Sequence, residues 1–498
     1  MQDMDRPETP AEGMRGSAVR GGVAIVAARL GIQFIRLALT AVLARILSPE
    51  DYGLVSVVLA VSGLGMVLQD LGLSASTIQR EKISAQQISV LFWLNATLGL
   101  LIAATGVLCS PLIATFFARP EIESISMALF AGMLIPSLSV QHRALLQRQM
   151  RFTEQSVISV IAIVLAGASA IAVALNDGGP WALVALIIVN DLITLVLSWR
   201  ASGFMPGPYR WDAEAYSMVR FGGGFLMFRL MGYLAQNLHV VLIGRTTGIS
   251  AAGLFTRAQS TANLLLGYTN EPAGKIAMAA LPKHNNAPEA FARFYNRCLA
   301  VMMFTGAPIA CFTWMFAGDL IRILMGPQWD TAAALLSVLA IGMAVQPALN
   351  STGWIYLARA EIRNMVLWGL IGWGVMIAAA LVGLLWGIYG VAWAWTLSLY
   401  ALLIPCLLAA FRGTQIRLMA SMLIVIKPLA AAVIALALTS PLRNALVDLP
   451  AVVRLVACGT LFGLGYLGLV WWVFGQKELI VDIFHSLRNK RSSVEAVS

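Results

Sequence analysis

Residues 364–410 read NMVLWGLIGWGVMIAAALVGLLWGIYGVAWAWTLSLYALLIPCLLAA and contain no charged side chain. About 20 apolar residues are needed to cross the roughly 30 Å of hydrocarbon in a bilayer. The stretch is long enough for two crossings, and WGIYG at 386–390 places a tight turn between them. It therefore predicts two membrane helices, at about 364–385 and 389–410.

The whole chain has the composition of a protein whose main solvent is lipid. Of its 498 residues, 59% are hydrophobic and only 12% are charged, whereas soluble domains carry about 25% charged residues. This excludes a cytosolic enzyme, a secreted disulfide scaffold and a disordered tail protein. The five cysteines and four histidines are scattered without metal-ligand spacing, so we predict no metal site and no cofactor.

Apolar runs of membrane-spanning length recur along the chain, and we count fourteen. They lie at about 21–46, 53–77, 88–110, 122–141, 156–175, 181–199, 221–245, 251–272, 298–317, 332–357, 364–385, 389–410, 421–440 and 452–474. They predict an all-α integral membrane protein with two six-helix lobes and two C-terminal helices. Its parts are an N-terminal tail (1–20), an N-lobe (21–200), a linker (201–220), a C-lobe (221–411), two helices (412–474) and a C-terminal tail (475–498).

Basic residues are distributed unevenly between alternate loops. With the N-terminus in the cytoplasm, 24 of the 34 Lys and Arg residues fall on cytoplasmic segments, 6 on the opposite side and 4 within spans. An excess of Lys and Arg in cytoplasmic loops determines membrane orientation. The formal net charge of +10 is therefore a topology signal and not a sign of nucleic-acid binding. Both termini and the linker are predicted to be cytoplasmic.

The two predicted lobes share an internal repeat at an offset of 200 residues. Seven of the 35 positions in 20–54 are identical to those in 220–254, and three of the seven are arginines. Both copies begin on the cytoplasmic side, so the repeat is parallel. Such repeats are common in alternating-access transporters, whose substrate sites lie where the repeats meet.

Arginines within the predicted spans mark a candidate site, because each Arg at the bilayer centre costs roughly 2.5–3.5 kcal/mol on insertion scales. Residues at i, i+4 and i+7 share one helix face. One such stripe lies in the first span and another in the seventh: Arg29, Gln33 and Arg36, then Arg229, Tyr233 and Gln236. We predict that both stripes, with Arg257 of the eighth span, line a cationic substrate cavity between the lobes.

These polar groups also have structural alternatives. Asp70 is predicted at the depth of Arg29, so the two could form a buried ion pair. Arg257 lies near the end of its span, where its side chain could instead reach the membrane interface. Candidates for proton coupling are Asp70, Asp191, Glu271 and His239, with interhelical hydrogen bonding as the alternative. We find no catalytic constellation, so no enzymatic activity is predicted.

Eight short motifs occur in a specific order along the chain. They are LSPEDYGL (47–54), DLGL (70–73), IQR (78–80), FWLN (92–95), RQMRF (148–152), GLFTRA (253–258), GPQW (326–329) and GIYGVA (387–392). Together they resemble the polysaccharide exporters, or lipid-linked oligosaccharide flippases, of the multidrug/oligosaccharidyl-lipid/polysaccharide (MOP) superfamily. Within that superfamily the likeness is to the Wzx type.

The resemblance implies a MATE-like fold of two lobes, fourteen helices and a central cavity. It implies that an undecaprenyl-diphosphate-linked oligosaccharide moves from the cytoplasmic to the periplasmic leaflet of the bacterial inner membrane, for exopolysaccharide or O-antigen assembly. Relatives carry cavity arginines, and Arg29, Arg36 and Arg229 are the positions here that fit. A polysaccharide polymerase and co-polymerase are the implied protein partners.

Three other functions stay open. A MATE-like drug or metabolite antiporter would share the two lobes but is expected to have an acidic cavity. A lipid II flippase would act by the same mechanism, although the motifs at 47–54 and 70–73 favour the exopolysaccharide relatives. A membrane polymerase or ligase is expected to have a long outer loop, and the longest one predicted here is about 318–331.

Overall fold

The structure is a computed structural model that describes residues 31–69, 77–78, 83–208 and 226–472. Every regular element in these ranges is helical. The N-terminal half contains α1 (31–46), α2 (Pro49–Gln69), α3 (Ala85–Phe117), α4 (Glu121–Gly132), α5 (Leu134–Arg148), α6 (Phe152–Leu175) and α7 (Trp181–Ser202). The remaining helices are α8 (Leu226–Thr246), α9 (Ile249–Ala280), α10 (Pro288–Leu324), α11 (Asp330–Met343), α12 (Gln346–Ala358), α13 (Ile362–Gly383), α14 (Gly387–Phe411), α15 (Leu418–Ala445) and α16 (Ala451–Trp472).

The helices confirm an all-α, multi-pass membrane protein. Within the described ranges, nine helical segments are long and apolar enough to cross a membrane, or ten if α11 and α12, bent by 46° at their junction, form one broken span. A helix is present in the described part of each of the fourteen predicted intervals. The nine do not include α1, α8 or α9, and they count α13 and α14 as one segment. The number of crossings therefore stays a prediction.

Local sequence explains where two of the helices begin. Before α2, the Ser48 amide donates to Asp51 Oδ2 at 2.8 Å and the Asp51 amide donates to Ser48 Oγ at 3.2 Å, a reciprocal cap of the exposed amides. Between α13 and α14, Gly387 has φ +67°. Gly390 lies so close to the Gly383 carbonyl that a Cβ at Gly390 would overlap it. A tight turn between the two helices is confirmed, but it lies at 384–387, slightly before the predicted 386–390, because residues 388–390 already belong to α14.

Some helices are longer than the apolar runs that predict them. The eighth interval is predicted at 251–272, whereas α9 begins at Ile249 and continues to Ala280. Likewise α10 extends over 37 residues, with a kink at Phe316. A hydropathy pattern detects only the apolar part of a helix, because polar residues continue the same backbone hydrogen bonds beyond the hydrocarbon.

The 200-residue repeat appears in the helix boundaries and in a contact between the halves. Helix α1 ends at 46 and α8 at Thr246, while α2 begins at Pro49 and α9 at Ile249. A Cβ at Gly53 would overlap the Ile249 carbonyl oxygen, and a Cβ at Gly253 would overlap that of Pro49. Since these residues are equivalent in the repeat, the contact is reciprocal, as across a two-fold axis. Glycine lets the two backbones touch.

Hydrogen bonds reinforce this contact at the same end of the bundle. Arg45 Nη2 donates to the Ile323 carbonyl at 2.8 Å, and Trp329 Nε1 donates to the Ala44 carbonyl at 2.8 Å. Both bonds join α1 to the segment around the end of α10, across the two halves. We call this end of the bundle, where α1 and α8 finish and α2 and α9 start, the closed end.

The last two helices pack on α10. Phe316 of α10, Phe462 and Tyr466 belong to a small core of their own. Tyr466 Oη donates to the Phe304 carbonyl at 2.8 Å, and Arg454 pairs with the buried Asp319. This agrees with two helices outside the repeat. The lobe and linker boundaries themselves stay predictions.

Candidate functional site

A cavity of about 320 Å³ lies in the N-terminal half, and we call it the N-lobe cavity. Much of its wall is aliphatic, from α1, α6 and α7. Its polar wall includes Arg36 of α1, Tyr52 of α2, Asn190 and Asp191 of α7, and Arg257 of α9. It therefore brings together side chains from both halves of the repeat.

Arg257 enters this cavity because α9 packs against α2. Its guanidinium carbon lies 4.7 Å from the centre of the Tyr52 ring, a cation–π contact. Its Nε is buried and has no hydrogen-bond partner in the described part of the chain. The side chain therefore points into the protein, which favours the cavity over the alternative that it reaches the membrane interface.

The N-lobe cavity is positively charged. Two guanidinium groups and one carboxylate line it, which gives a formal charge of +1. The carboxylate, Asp191, accepts a hydrogen bond from Asn190 Nδ2 at 3.3 Å. Within the described ranges, neither Arg36 nor Arg257 forms an ion pair with a carboxylate. Arg36 is exposed, whereas Arg257 has a buried Nε without a partner in the described part of the chain. A buried guanidinium nitrogen without a partner favours a bound anion.

A second cavity, of about 550 Å³, lies in the C-terminal half, and we call it the C-lobe cavity. Its wall comes from α8, α9, α12, α13 and α14. None of the described residues that line it is charged. Five carry an amide: Gln236, Gln259, Asn263, Gln346 and Asn350. Four are large aromatics: Tyr356, Trp368, Trp373 and Trp395.

The two cavities occupy corresponding places in the two halves. The first helix and the last two helices of each half line its cavity: α1, α6 and α7 in one case, α8, α13 and α14 in the other. Arg36 and Gln236, equivalent in the repeat, each line their own cavity. One residue of each predicted stripe therefore lines a cavity, Arg36 in the N-lobe cavity and Gln236 in the C-lobe cavity. Of these two cavities the first is charged and the second is not, and a single cationic cavity shared by both stripes stays a prediction.

Helix α9 separates these cavities. Arg257 faces the N-lobe cavity, whereas Gln259, two residues later, faces the C-lobe cavity, because two residues turn a helix by about 200°. His239 of α8 is 1% exposed and shares a hydrogen bond of 3.0 Å with Gln259 Oε1. Its ring also packs against Trp395, 5.2 Å away. His239 therefore supports the wall of the C-lobe cavity.

Tyr233 and Gln33 line neither cavity. The Tyr233 hydroxyl lies 3.0 Å from the carbonyl oxygens of Leu59 and Ala60, so it donates from α8 across to α2. It also lies over Gly63, where a Cβ would overlap the hydroxyl. Tyr233 thus joins the two halves, and a direct role in substrate binding stays a prediction. Gln33 is half-buried on α1.

The remaining predicted residues lie at or beyond the limits of the described ranges. Arg229 is exposed in the first turns of α8. Arg29 and Asp70 lie outside the described residues, and so does their predicted ion pair. Glu271 is part of α9, but its side chain is outside the description. Among the described residues, no group of three or more His, Cys, Asp or Glu side chains could hold a metal ion.

Sequence reasoning missed the aromatic side of the C-lobe cavity. Trp368, Gly372, Trp373 and Met376 recur at the spacing of one helix face on α13. That spacing was the available signal. In a span that is apolar all round, however, the same spacing is typical of lipid-facing or core residues, so it does not single out a cavity.

A sequence model of the family described as "Polysaccharide biosynthesis protein" matches residues 42–334. The lipopolysaccharide biosynthesis protein WzxC of Escherichia coli (strain K12) is 25% identical over 325 residues, covering 64% of this chain and 66% of WzxC. The teichuronic acid biosynthesis protein TuaB of Bacillus subtilis (strain 168) is 26% identical over 308 residues, covering 61% and 63%. The chain spans just under two thirds of the length of both relatives.

Two solved structures share the fold. The lipid II flippase MurJ, in an inward closed conformation, has a TM-score of 0.70 at 12% identity, covering 90% of this chain and 99% of MurJ. A multidrug resistance MATE family transporter of the MOP superfamily, in an inward-facing conformation, has a TM-score of 0.60 at 14% identity, covering 76% and 94%. The predicted MATE-like fold class is confirmed. Since the matching family model extends over more than half of the chain, the protein belongs to the polysaccharide biosynthesis protein family.

Proposed function

We propose that this protein is a flippase for an undecaprenyl-diphosphate-linked oligosaccharide repeat unit. It moves the unit from the inner to the outer leaflet of the bacterial inner membrane, for exopolysaccharide or O-antigen assembly. One observation carries the proposal: Arg36 and Arg257, from different halves of the bundle, line one cavity without a carboxylate partner among the described residues.

The chemistry of such a substrate fits this cavity. A diphosphate with sugars cannot cross hydrocarbon unaided, because bare charge and unpaired hydroxyls are costly to desolvate. Guanidinium groups bind phosphate oxygens through charge-assisted, often bidentate hydrogen bonds. A positive cavity lined by residues of both halves therefore lets the head group cross the membrane, while the polyprenyl tail stays in lipid.

Transport then requires the closed end to open. The reciprocal contact of Gly53 and Gly253, the Arg45 bond and the Trp329 bond all hold the two halves together there. Separating the halves at this end and closing them at the other would expose the cavity to the opposite side. Opening must separate these backbone contacts and also the packing of the buried Trp329 against Tyr52, whose ring centroids lie 5.3 Å apart.

The orientation is part of the proposal. Both termini are cytoplasmic because 24 of 34 basic residues then lie on that side, and the closed end faces the periplasm. A polymerase and its co-polymerase would receive the flipped unit. The protein itself acts by binding and transport and not as an enzyme. Arg29 and Arg229 are further candidates for phosphate contacts, and Asp191, Asp70, Glu271 and His239 for coupling.

The other candidate functions receive less support. A drug antiporter that binds cations would have to hold them beside two guanidinium groups. A lipid II flippase would handle the same diphosphate, but the names of WzxC and TuaB refer to lipopolysaccharide and teichuronic acid. The likeness to MurJ, at 12% identity, concerns the fold.

A deletion strain tests the proposal. We expect the strain to lose its surface polysaccharide and to accumulate complete lipid-linked repeat units on the cytoplasmic leaflet, as measured by accessibility of the glycan to added glycosidase in oriented vesicles. Units on the periplasmic leaflet would point to a polymerase or ligase. Unchanged polymer and unchanged lipid-linked units would contradict the proposal.

The matched variants are Arg257→Ala and Arg293→Ala. We expect Arg257→Ala to be inserted at the wild-type level but to restore about ten- to a hundredfold less polymer, since one charge-assisted contact of about 1.5–3 kcal/mol is lost. Arg293 is 73% exposed and outside both cavities, so its variant should restore wild-type export. Wild-type export by Arg257→Ala would exclude this arginine from the site.

A further inference from the structure

We infer that the C-lobe cavity is a binding site for neutral sugars of the substrate, distinct from the diphosphate site in the N-lobe cavity. The inference rests on the proposed function and adds a subsite to it. The charged diphosphate of the substrate would bind in the charged N-lobe cavity, and its uncharged sugars would bind in the uncharged C-lobe cavity.

The first argument is the lining. Small-molecule sites are typically of about 300–1,000 Å³, with aromatic walls and a few polar groups that fix orientation; this cavity has about 550 Å³. A carboxamide offers two donors and one acceptor, which matches hydroxyls that both donate and accept. Amides bind uncharged hydroxyls without the desolvation cost of a charge. Five amides and no charged side chain among the described lining residues therefore favour a neutral polyhydroxylated ligand.

The second argument is the aromatic wall. Trp368 and Trp373 lie five residues apart on α13, and both line the cavity half-buried. The π-face of an indole ring is electronegative, so it attracts the polarised C–H groups on the flat face of a pyranose. Trp395 closes the wall from α14 and is 9% exposed. Such rings hold a sugar face while the amides bind its rim.

The third argument is an unused hydroxyl. Tyr356 lines the cavity and is 3% exposed, yet its Oη has no hydrogen-bond partner within the described part of the chain. A buried hydroxyl without a partner is destabilising. A sugar hydroxyl in the cavity would supply that partner. Tyr400 offers a contrast, since its hydroxyl already donates to the Ile341 carbonyl at 2.9 Å.

The position of the cavity fits a single extended substrate. Helix α9 carries Arg257 towards one cavity and Gln259 towards the other. A helix with its side chains is about 10–12 Å across, a distance that a glycan of several sugars spans. The sugars distal to the diphosphate would therefore be those that reach the C-lobe cavity.

The chain contains its own reporter for this site. Cys406 lines the C-lobe cavity and is half-buried. A full-length variant that retains only Cys406 is first checked for export in the deletion strain. Its alkylation rate by N-ethylmaleimide is then measured with two probes: neutral oligosaccharides from partial hydrolysis of the host's surface polysaccharide, and farnesyl diphosphate. The matched control retains only Cys109 of α3, which lines neither cavity.

We expect saturating oligosaccharide to slow alkylation of Cys406 at least fivefold, while farnesyl diphosphate leaves it unchanged and Cys109 responds to neither probe. Trp368→Leu should raise the oligosaccharide concentration for half-protection at least tenfold, and the nearly isosteric Tyr356→Phe several-fold. Trp393→Leu is the control, because Trp393 is on α14 but 45% exposed and outside the cavity. Its protection should equal that of the parent.

Calorimetry of farnesyl diphosphate binding distinguishes failure of the sugar-site inference from failure of the flippase proposal. If Cys406 is not protected while farnesyl diphosphate binds in an Arg257-dependent manner, the sugar site is overturned and the flippase proposal stands. If neither probe binds and the parent variant does not restore export, both are overturned. Equal protection of Cys406 by both probes would contradict two separate subsites.

Discussion

The N-lobe and C-lobe cavities are built from equivalent helices but have different chemistry. At one repeat position the N-lobe cavity has Arg36 and the C-lobe cavity has Gln236. The N-lobe wall is otherwise largely aliphatic, whereas the C-lobe wall adds three tryptophans and four further amides. One backbone arrangement, duplicated within the chain, thus presents a charged surface on one side of α9 and a neutral, aromatic surface on the other.

The two copies of the repeat differ in their cavity residues and agree in the residues where their backbones touch. The contacts that need exact backbone geometry are kept in both copies, as Gly53 and Gly253 show by touching each other's helix. Cavity positions are free to differ, because a side chain that faces an open space has few packing constraints. A bundle with two unlike cavities can then bind a substrate whose two ends differ in charge.

The largest expected effect comes from exchanging the charge between the cavities. Arg36→Gln gives the N-lobe cavity the residue of its counterpart, and we expect polymer export to fall about ten- to a hundredfold through loss of a charge-assisted phosphate contact. The double variant Arg36→Gln with Gln236→Arg keeps the total charge. Export and farnesyl diphosphate affinity are the measurements.

The double variant should not recover export, since the guanidinium then lies in the cavity that we assign to sugars. Arg36→Lys, which keeps the charge but loses bidentate geometry, should fall between Arg36→Gln and wild type. Full recovery of export in the double variant would mean that only the net charge of the interior matters, and the distinction between the cavities would be lost.

Replacing Asp191 is expected to have a smaller effect and to strengthen diphosphate binding instead of weakening it. This carboxylate shares the N-lobe cavity with the two arginines, and it repels a bound diphosphate at short range. Asp191→Asn should therefore tighten farnesyl diphosphate binding about threefold or more at neutral pH, as measured by calorimetry. Asp177→Asn, at an exposed position outside both cavities, should leave the affinity unchanged. Weaker binding in Asp191→Asn would show that this carboxylate positions an arginine.

The smallest effect is expected at Tyr233, which contacts the other half and lines neither cavity. Interhelical hydrogen bonds in membrane proteins contribute about 0.6 kcal/mol on average, with a maximum near 1.7. Tyr233→Phe should lower the free energy of unfolding by about that amount and leave farnesyl diphosphate affinity at the wild-type value. A tenfold loss of that affinity would instead make Tyr233 a substrate ligand.

The fold was largely predictable from sequence, because the bilayer dictates long apolar helices and Lys and Arg mark the loops between them. The repeat was also visible, since Arg45 and Gly53 match Arg245 and Gly253 across 200 residues. The structure adds that the helix boundaries match as well: α1 and α8 end at equivalent positions, and α2 and α9 begin at equivalent positions.

The site was only partly predictable. Arg36 and Arg257 stand out because a charged side chain inside a membrane is costly and usually marks a functional site. Which cavity each side chain enters depends on helix rotation and packing, and these are not local in sequence: Gln236 continues a polar stripe yet faces a different cavity from Arg36. The helical spacing that includes Trp368 does not single out a cavity in an apolar span, and Tyr356 has no local signal of function.

A structure of the full-length protein with its lipid-linked oligosaccharide bound would show which cavity holds the diphosphate and which holds the sugars. We predict density for the diphosphate between Arg36 and Arg257, and density for the distal sugars against Trp368 and the amides of the C-lobe cavity. Diphosphate and sugars together in the N-lobe cavity, with the C-lobe cavity free of glycan, would contradict the account.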